Sequence, residues 1–189
     1  MTETQIFEPD ERAISYAVEG NGPTVVLVAE KGLPIDYLGT LAHILVKEDF
    51  RVLRVAAGGA SASDDTSAHD LARGVVDIMD AAGIEDAWLG GHGFGGSVAR
   101  AVALDFHDRV NGVLLLGVEA GDLTLAEGLP VLVIQGSEDD VTPPANGEAL
   151  QAAAPDRVSV VSVDGGGHLF PSENVGATSW AIEDYLDWD

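Results

Sequence analysis

The sequence predicts an α/β fold: a mostly parallel twisted sheet with helices on both faces. Two observations carry this. Short apolar, β-branched runs alternate with stretches of helical spacing along the chain, the pattern of βαβ units. Several of the runs are apolar without interruption, which marks strands covered on both faces.

Ala13 to Val18 alternates and reads as an edge strand, followed by turn chemistry at Asn21-Gly22-Pro23. Thr24 to Ala29 is a covered strand. Asp36 to Lys47 has helical spacing, with Leu38, Leu41, Ala42 and Leu45 on one side. Arg51 to Ala56 is a strand, and Ser61 to Asp65 is a small, polar loop. Ser67 is placed to cap a helix running to Ala82, with Gly83 as its stop. Ala87 to Leu89 is a strand, followed by a glycine-rich turn and a helical stretch from Ser97 to Phe106. Val110 to Leu116 and Val131 to Gln135 are buried strands. Ala145 to Ala154 is a helix stopped by Pro155. Val158 to Val163 is the last strand, and Glu173 to Trp188 the closing helix. The 189 residues fit one domain, 1–189, with no internal repeat.

Composition excludes several classes. There is no cysteine, hence no disulfide framework and no thiolate metal site. Asp and Glu number 32 against 9 Lys and Arg, a formal charge of −23, and Lys31 and Lys47 are the only lysines. Nucleic acid and anionic membranes need clustered cations, so neither is an expected partner. The charge fits a self-repelling, solvated surface, or adaptation to high salt, where screening quiets the repulsion. No basic region followed by an apolar run opens the chain and no apolar stretch is long enough to span a bilayer, so the expected location is cytoplasmic.

The stretch Gly91-His92-Gly93-Phe94-Gly95-Gly96 lies between a strand and a helix. That is the setting of a nucleophile elbow, G-x-S-x-G, with glycine where the serine belongs. Two later pieces join it: Gly136-Ser137-Glu138-Asp139 after one strand, and Gly165-Gly166-Gly167-His168 after the last. With these three pieces in order, the chain resembles the α/β-hydrolase-fold superfamily over nearly its whole length, in a lidless, esterase- or lactonase-like form. The resemblance implies Gly93 at the nucleophile position, Asp139 as the acid and His168 as the base. In that scheme His168 takes a proton near neutral pH while Asp139 fixes its tautomer. Glu138 and Asp140 are neighbouring acids that fit the spacing less well.

Glycine at position 93 removes the attacking hydroxyl. It also adopts strained elbow conformations without the Cβ penalty. The N–H groups that open the following helix remain, Phe94 first among them. They leave an anion-tolerant pocket in which a water or a ligand carboxylate could replace the hydroxyl. The second half of the oxyanion machinery also departs from the family, whose histidine-glycine pair aligns by length with Ala29-Glu30 or by similarity with Lys31-Gly32. Either register puts a charge, Glu30 or Lys31, at the pocket or out in solvent. A carboxylate there would repel a developing oxyanion, and an ammonium would help it. The loop after Arg51 to Ala56 lacks the aspartate and arginine that order it in the family, so it is expected to be open and flexible. The short connector Val118 to Gly128 leaves no room for a cap.

His92 is expected to pack rather than react. Ser97 lies one helical turn past Gly93 and is expected to face the helix interior. His43, His69 and His107 lack metal-ligand spacing, and the glycine cluster lacks the Lys-Ser/Thr ending of a phosphate loop, so no metal and no cofactor are expected. Trp180, Tyr185 and Trp188 suit core packing or self-association. Three functions fit: a serine-hydrolase lineage for esters or lactones that has lost covalent hydrolysis; a non-covalent His-Asp base acting on a small substrate; or a non-enzyme that binds a ligand or partner.

Overall fold

The computed structural model describes residues 3–7, 14–58, 67–122 and 124–187. Eight strands form one sheet: β1 (Gln5–Phe7), β2 (Ile14–Glu19), β3 (Thr24–Val28), β4 (Arg51–Val55), β5 (Ala87–His92), β6 (Val110–Leu116), β7 (Val131–Gly136) and β8 (Val158–Val163). Their order across the sheet is β1-β2-β4-β3-β5-β6-β7-β8. β2 runs antiparallel to β1 and β4, and every other pairing is parallel. Among the described residues six α-helices accompany them: α1 (Gly39–Lys47), α2 (Ala68–Ala81), α3 (Phe94–Asp105), α4 (Pro144–Ala153), α5 (Phe170–Glu173) and α6 (Val175–Leu186). Side chains of α2, α3 and α4 pack on one face of the sheet, those of α1, α5 and α6 on the other. The expected α/β class and its two-faced packing are therefore present.

The boundaries differ where local chemistry overrides periodicity. The strand expected from Ala13 is not the edge, because β1 pairs outside it; Ala13 itself lies outside the described residues. β1 has three residues, too few to show a period. The expected helix from Asp36 begins as a tighter 3₁₀ turn, Ile35–Leu38. Arg54 Nη1 donates to Ile35 O at 3.0 Å, and the Gly39 N–H turns instead to Asp36 O. The closing helix is split at Asn174, whose backbone leaves the helical region (φ −122°, ψ 48°). Buried Phe170 anchors the short α5, and Thr178 Oγ1 donates to Asn174 O at 3.0 Å.

β5 and α3 are both longer toward the turn between them than expected, reaching His92 and starting at Phe94. The residues missed are mainly glycines, which carry no hydrophobic signal. They are needed for close approach: a Cβ on Gly95 would strike the carbonyl oxygens of Val28 and Ala29. α3 is thereby pressed directly on β3. Ser67 caps α2 as expected, accepting from Asp70 N–H while Asp70 accepts from Ser67 N–H. The Gly117–Pro130 connection between β6 and β7 holds no helix or strand among its described residues, so it contributes no cap there. The expected loop Ser61 to Asp65 lies outside the described residues, as does Trp188. Among the described residues no helix is long and apolar enough to cross a membrane.

Acids outnumber bases so heavily that most cannot pair, and exposed pairs such as Arg73–Asp77 contribute little. Screening should then dominate the stability of the surface. The melting temperature is expected to rise as KCl goes from about 0.1 to about 2 M, by roughly 3 °C for each kcal/mol of repulsion removed. Differential scanning calorimetry measures it, and a flat response would show that the repulsion is already negligible.

Candidate active site

The carboxyl ends of β3, β5, β7 and β8 deliver the sequence-predicted residues to one place, where open parallel sheets present their chemistry. Gly93 forms the turn between β5 and α3 with φ +57° and ψ −117°, a conformation that strains any residue with a side chain. Its N–H donates to Leu116 O at 3.0 Å, which ties the turn to the end of β6.

Asp139 follows β7 and is buried, with 3% of its surface exposed. Val141 and Thr142 N–H groups each donate to its Oδ1 at 2.9 Å, and Thr142 Oγ1 donates to Oδ2 at 2.6 Å. Burial works against its charge, but these hydrogen bonds and that of His168 prevail and hold its pKa below the ordinary value. Glu138 and Asp140 are exposed. His168 arrives from the glycine loop after β8. Gly136 has no Cβ, so the Gly166–Gly167 backbone lies directly against it. His168 Nδ1 stands 3.1 and 3.2 Å from the two Asp139 oxygens.

The other imidazole nitrogen meets a carboxylate as well. His168 Nε2 is 2.9 Å from Glu30 Oε2, and Glu30 Oε1 accepts from Lys31 N–H at 2.9 Å and Phe94 N–H at 3.0 Å. A Cβ on Gly93 would fall within the Glu30 carboxylate. The opening expected here for a water or a ligand carboxylate is therefore not present, because a side chain closes it. Glu30 fills it from the same chain, and its side chain is only 17% exposed. The alternative that Glu30 points to solvent is excluded. Ala29 is fully buried with its N–H spent on Val55 O, so it offers no donor to the pocket, contrary to expectation; Lys31 supplies the N–H instead. The Lys31 ammonium lies 4.9 Å from the centre of the Phe94 ring.

His168 feels opposing influences. Burial lowers its pKa, while Asp139 and Glu30 raise it, and the carboxylates prevail above the ordinary 6.5. His92 does pack, fully buried 4.5 Å from the His168 ring, and it completes a brace through Tyr37. Glu30 N–H donates to Tyr37 Oη at 2.8 Å, Tyr37 O–H lies 2.8 Å from His92 Nδ1, and His92 Nε2 lies 2.7 Å from His168 O. A carbonyl only accepts, so Nε2 carries the His92 proton and Nδ1 accepts from Tyr37. Burial first, then the neighbouring His168, push the His92 pKa down to about 4. Burial also pushes the Tyr37 phenol up. Ser97 is half-buried, and its hydroxyl donates to Glu119 Oε1 at 2.7 Å.

Tyr37, Thr142 and Gln135 escaped the sequence reading. Tyr37 sits in what reads as the first turn of an amphipathic helix. Thr142 follows Asp139 by three, a spacing that suits side-chain–backbone bonding around an acid. Gln135 interrupts an apolar strand and is 1% exposed, and such a buried amide marks a bonding need. It accepts from Val118 N–H and donates to Thr142 O, joining the β6 and β7 ends.

Residues 67–172 match the profile of the Alpha/beta hydrolase family, over half of the chain, and the chain belongs to that family. A stretch of 104 residues, 53% of this chain, is 28% identical to the carbamate hydrolase RutD of Azorhizobium caulinodans and spans 39% of that protein's length. The fold is similar to an esterase from Thermogutta terrifontis, with TM-score 0.83, 18% identity and 98% of each chain covered. It is also similar to the enol-lactonase of Burkholderia xenovorans, with TM-score 0.83, 18% identity, and 97% of this chain and 100% of that one covered.

The pKa values of the two histidines should be displaced in opposite directions. His168, with its raised pKa, contributes stability fully below pH 6.5, lost as pH rises through its folded value. His92, held down to about 4, contributes stability above 6.5 that is lost as pH falls from 6.5 toward about 4. Imidazole NMR shifts should show His168 protonated at pH 6.5 and His92 neutral; equal midpoints for the two would contradict the arrangement. Tyr37→Phe leaves the Glu30 N–H without its partner and should cost about 1–3 kcal/mol in urea unfolding.

Proposed function

We propose that this chain is of serine-hydrolase lineage, for carboxylic esters or lactones, and no longer performs covalent acyl transfer. In this reading Gly93 takes the nucleophile position, His168 and Asp139 are the base and its partner, and Phe94 and Lys31 N–H groups are the oxyanion donors. The observation that carries it is Glu30. One of its carboxylate oxygens occupies both donors and the other occupies the base, so every group a substrate carbonyl needs is engaged internally. The esterase and enol-lactonase of like fold, and the carbamate hydrolase related in part, support a small ester-like molecule as the ancestral substrate. A non-covalent base would need His168 neutral with Nε2 free. Carboxylates on both nitrogens favour the protonated ring, which argues against that alternative.

Hydrolysis of p-nitrophenyl acetate tests the reading. The unaltered protein should match its His168→Ala variant. Gly93→Ser alone should stay inactive, because the new Cβ meets Glu30. Glu30→Gly with Gly93→Ser should gain about a hundredfold over the unaltered protein, the scale of a working general base, and should react with a serine-directed phosphonate at position 93. Turnover by the unaltered chain that His168→Ala removes would overturn the proposal.

A further inference from the structure

One cation lies buried away from the candidate active site. Arg54 stands on β4 with 6% of its surface exposed, and it forms no ion pair among the described residues. Its guanidinium makes one hydrogen bond to them, from Nη1 to Ile35 O. Its Nε is the one buried side-chain nitrogen or oxygen among the described residues without a hydrogen-bond partner. A desolvated charge is ordinarily paired, and an orphaned buried donor marks an unmet bonding need. The setting deepens that need. A Cβ added to Gly39, which opens α1, would stand 3.3 Å from Arg54 Nη1, so the guanidinium lies against the first turn of a helix of 9 residues. The positive end of the helix and the positive side chain therefore meet. Arg54 also forms part of the wall of a cavity of about 1020 Å³. Thr40 and His43, one helical turn apart on α1, line it too, as do Asp36 and Glu3, both exposed. None of the residues lining this cavity belongs to the candidate active site.

We propose that this cavity binds a small zwitterion, a molecule with one carboxylate and one ammonium group. Its carboxylate pairs with Arg54 at the α1 N-terminus, and its ammonium lies toward Asp36 and Glu3. A carboxylate answers the guanidinium and the helix end together. A plain anion would meet two obstacles. The acids that line the cavity repel it, and so does the field of a chain at −23. A plain amine is drawn to those acids but leaves the buried guanidinium unpaired. A zwitterion has no net charge to be repelled and supplies each end of the cavity with its opposite sign. The Thr40 hydroxyl and the His43 imidazole lie along the same wall and offer further hydrogen bonds to either group.

Calorimetric titration of the full chain with glycine, β-alanine and γ-aminobutyrate tests this, with acetate and ethylamine as probes that carry one charge each. At least one zwitterion should saturate with a Kd of about 1 mM or tighter, at least about tenfold below either single-charge probe. The same titration followed by NMR should shift the Arg54 Nε–H resonance. Arg54→Met, which keeps the length of the side chain but not its charge, should abolish binding. Asp36→Asn with Glu3→Gln, at exposed positions, should weaken the zwitterion at least about threefold without weakening acetate, and this variant serves if Arg54→Met fails to fold. The proposal is overturned if none of the three zwitterions binds at about 10 mM, if acetate binds as tightly as they do, or if binding survives Arg54→Met or is unchanged in the double variant.

Discussion

The candidate site is organised by one carboxylate held by three donors. Glu30 receives two backbone N–H groups on one oxygen and an imidazole on the other. Such a group cannot be buried alone, because desolvation of an unpaired charge costs several kcal/mol. Here the backbone supplies part of the compensation without any side chain. Phe94 opens α3, so its N–H points along the positive end of a helix of 12 residues. The imidazolium supplies the rest. It lies between Glu30 and Asp139, so one positive charge serves two negative ones, and the hydrogen bonds to each carboxylate offset the surplus.

This arrangement makes the three loops interdependent. Glu30 comes from the end of β3, the Phe94 N–H from the β5–α3 turn and His168 from the loop after β8. The Tyr37–His92 brace runs beneath them and joins two of the same loops through their backbones. Every donor in that brace has one acceptor, so it fixes the His92 tautomer and requires the ring to stay neutral. A proton on His92 would set two donors against Tyr37, whose oxygen already accepts from Glu30. Burial of His92 and charge on His168 therefore act together: the ring that must be neutral is kept so partly by the neighbour that is protonated.

The alternation of strands and helices was legible in the sequence because buried parallel strands are continuous apolar runs, and a helix must hide one face. The boundaries at Gly90 to Gly96 were not, since glycines are selected there by the space between β3, β5 and α3, and space is a tertiary quantity. The glycine turn, Asp139 and His168 could be picked out because each follows a strand in a short loop, in the order of the family that the chain resembles. The role of Glu30 could not. Its neighbourhood in sequence says only that a charge stands near the pocket. Whether that charge faces solvent or the turn depends on a void at residue 93, a place 63 positions further along the chain. The Tyr37 brace was hidden for a related reason, because its partners lie 7 and 55 residues away.

Gly93 and Glu30 are best understood as one feature. A side chain at 93 would carry two penalties in this structure. The backbone stands at φ +57°, where a Cβ is strained, and the atom itself would overlap the carboxylate. Glycine relieves both at once, but it leaves two N–H donors and an imidazole facing an unfilled space. Donors arranged to grip an oxyanion are stabilised by an anion whether or not it reacts. A glutamate on the adjoining loop has the length and charge to supply one permanently. The same groups that would speed a reaction by waiting for charge to develop then serve as ordinary structural bonds. On the proposed reading, stability at this site is obtained from the hydrogen bonds that catalysis would have used.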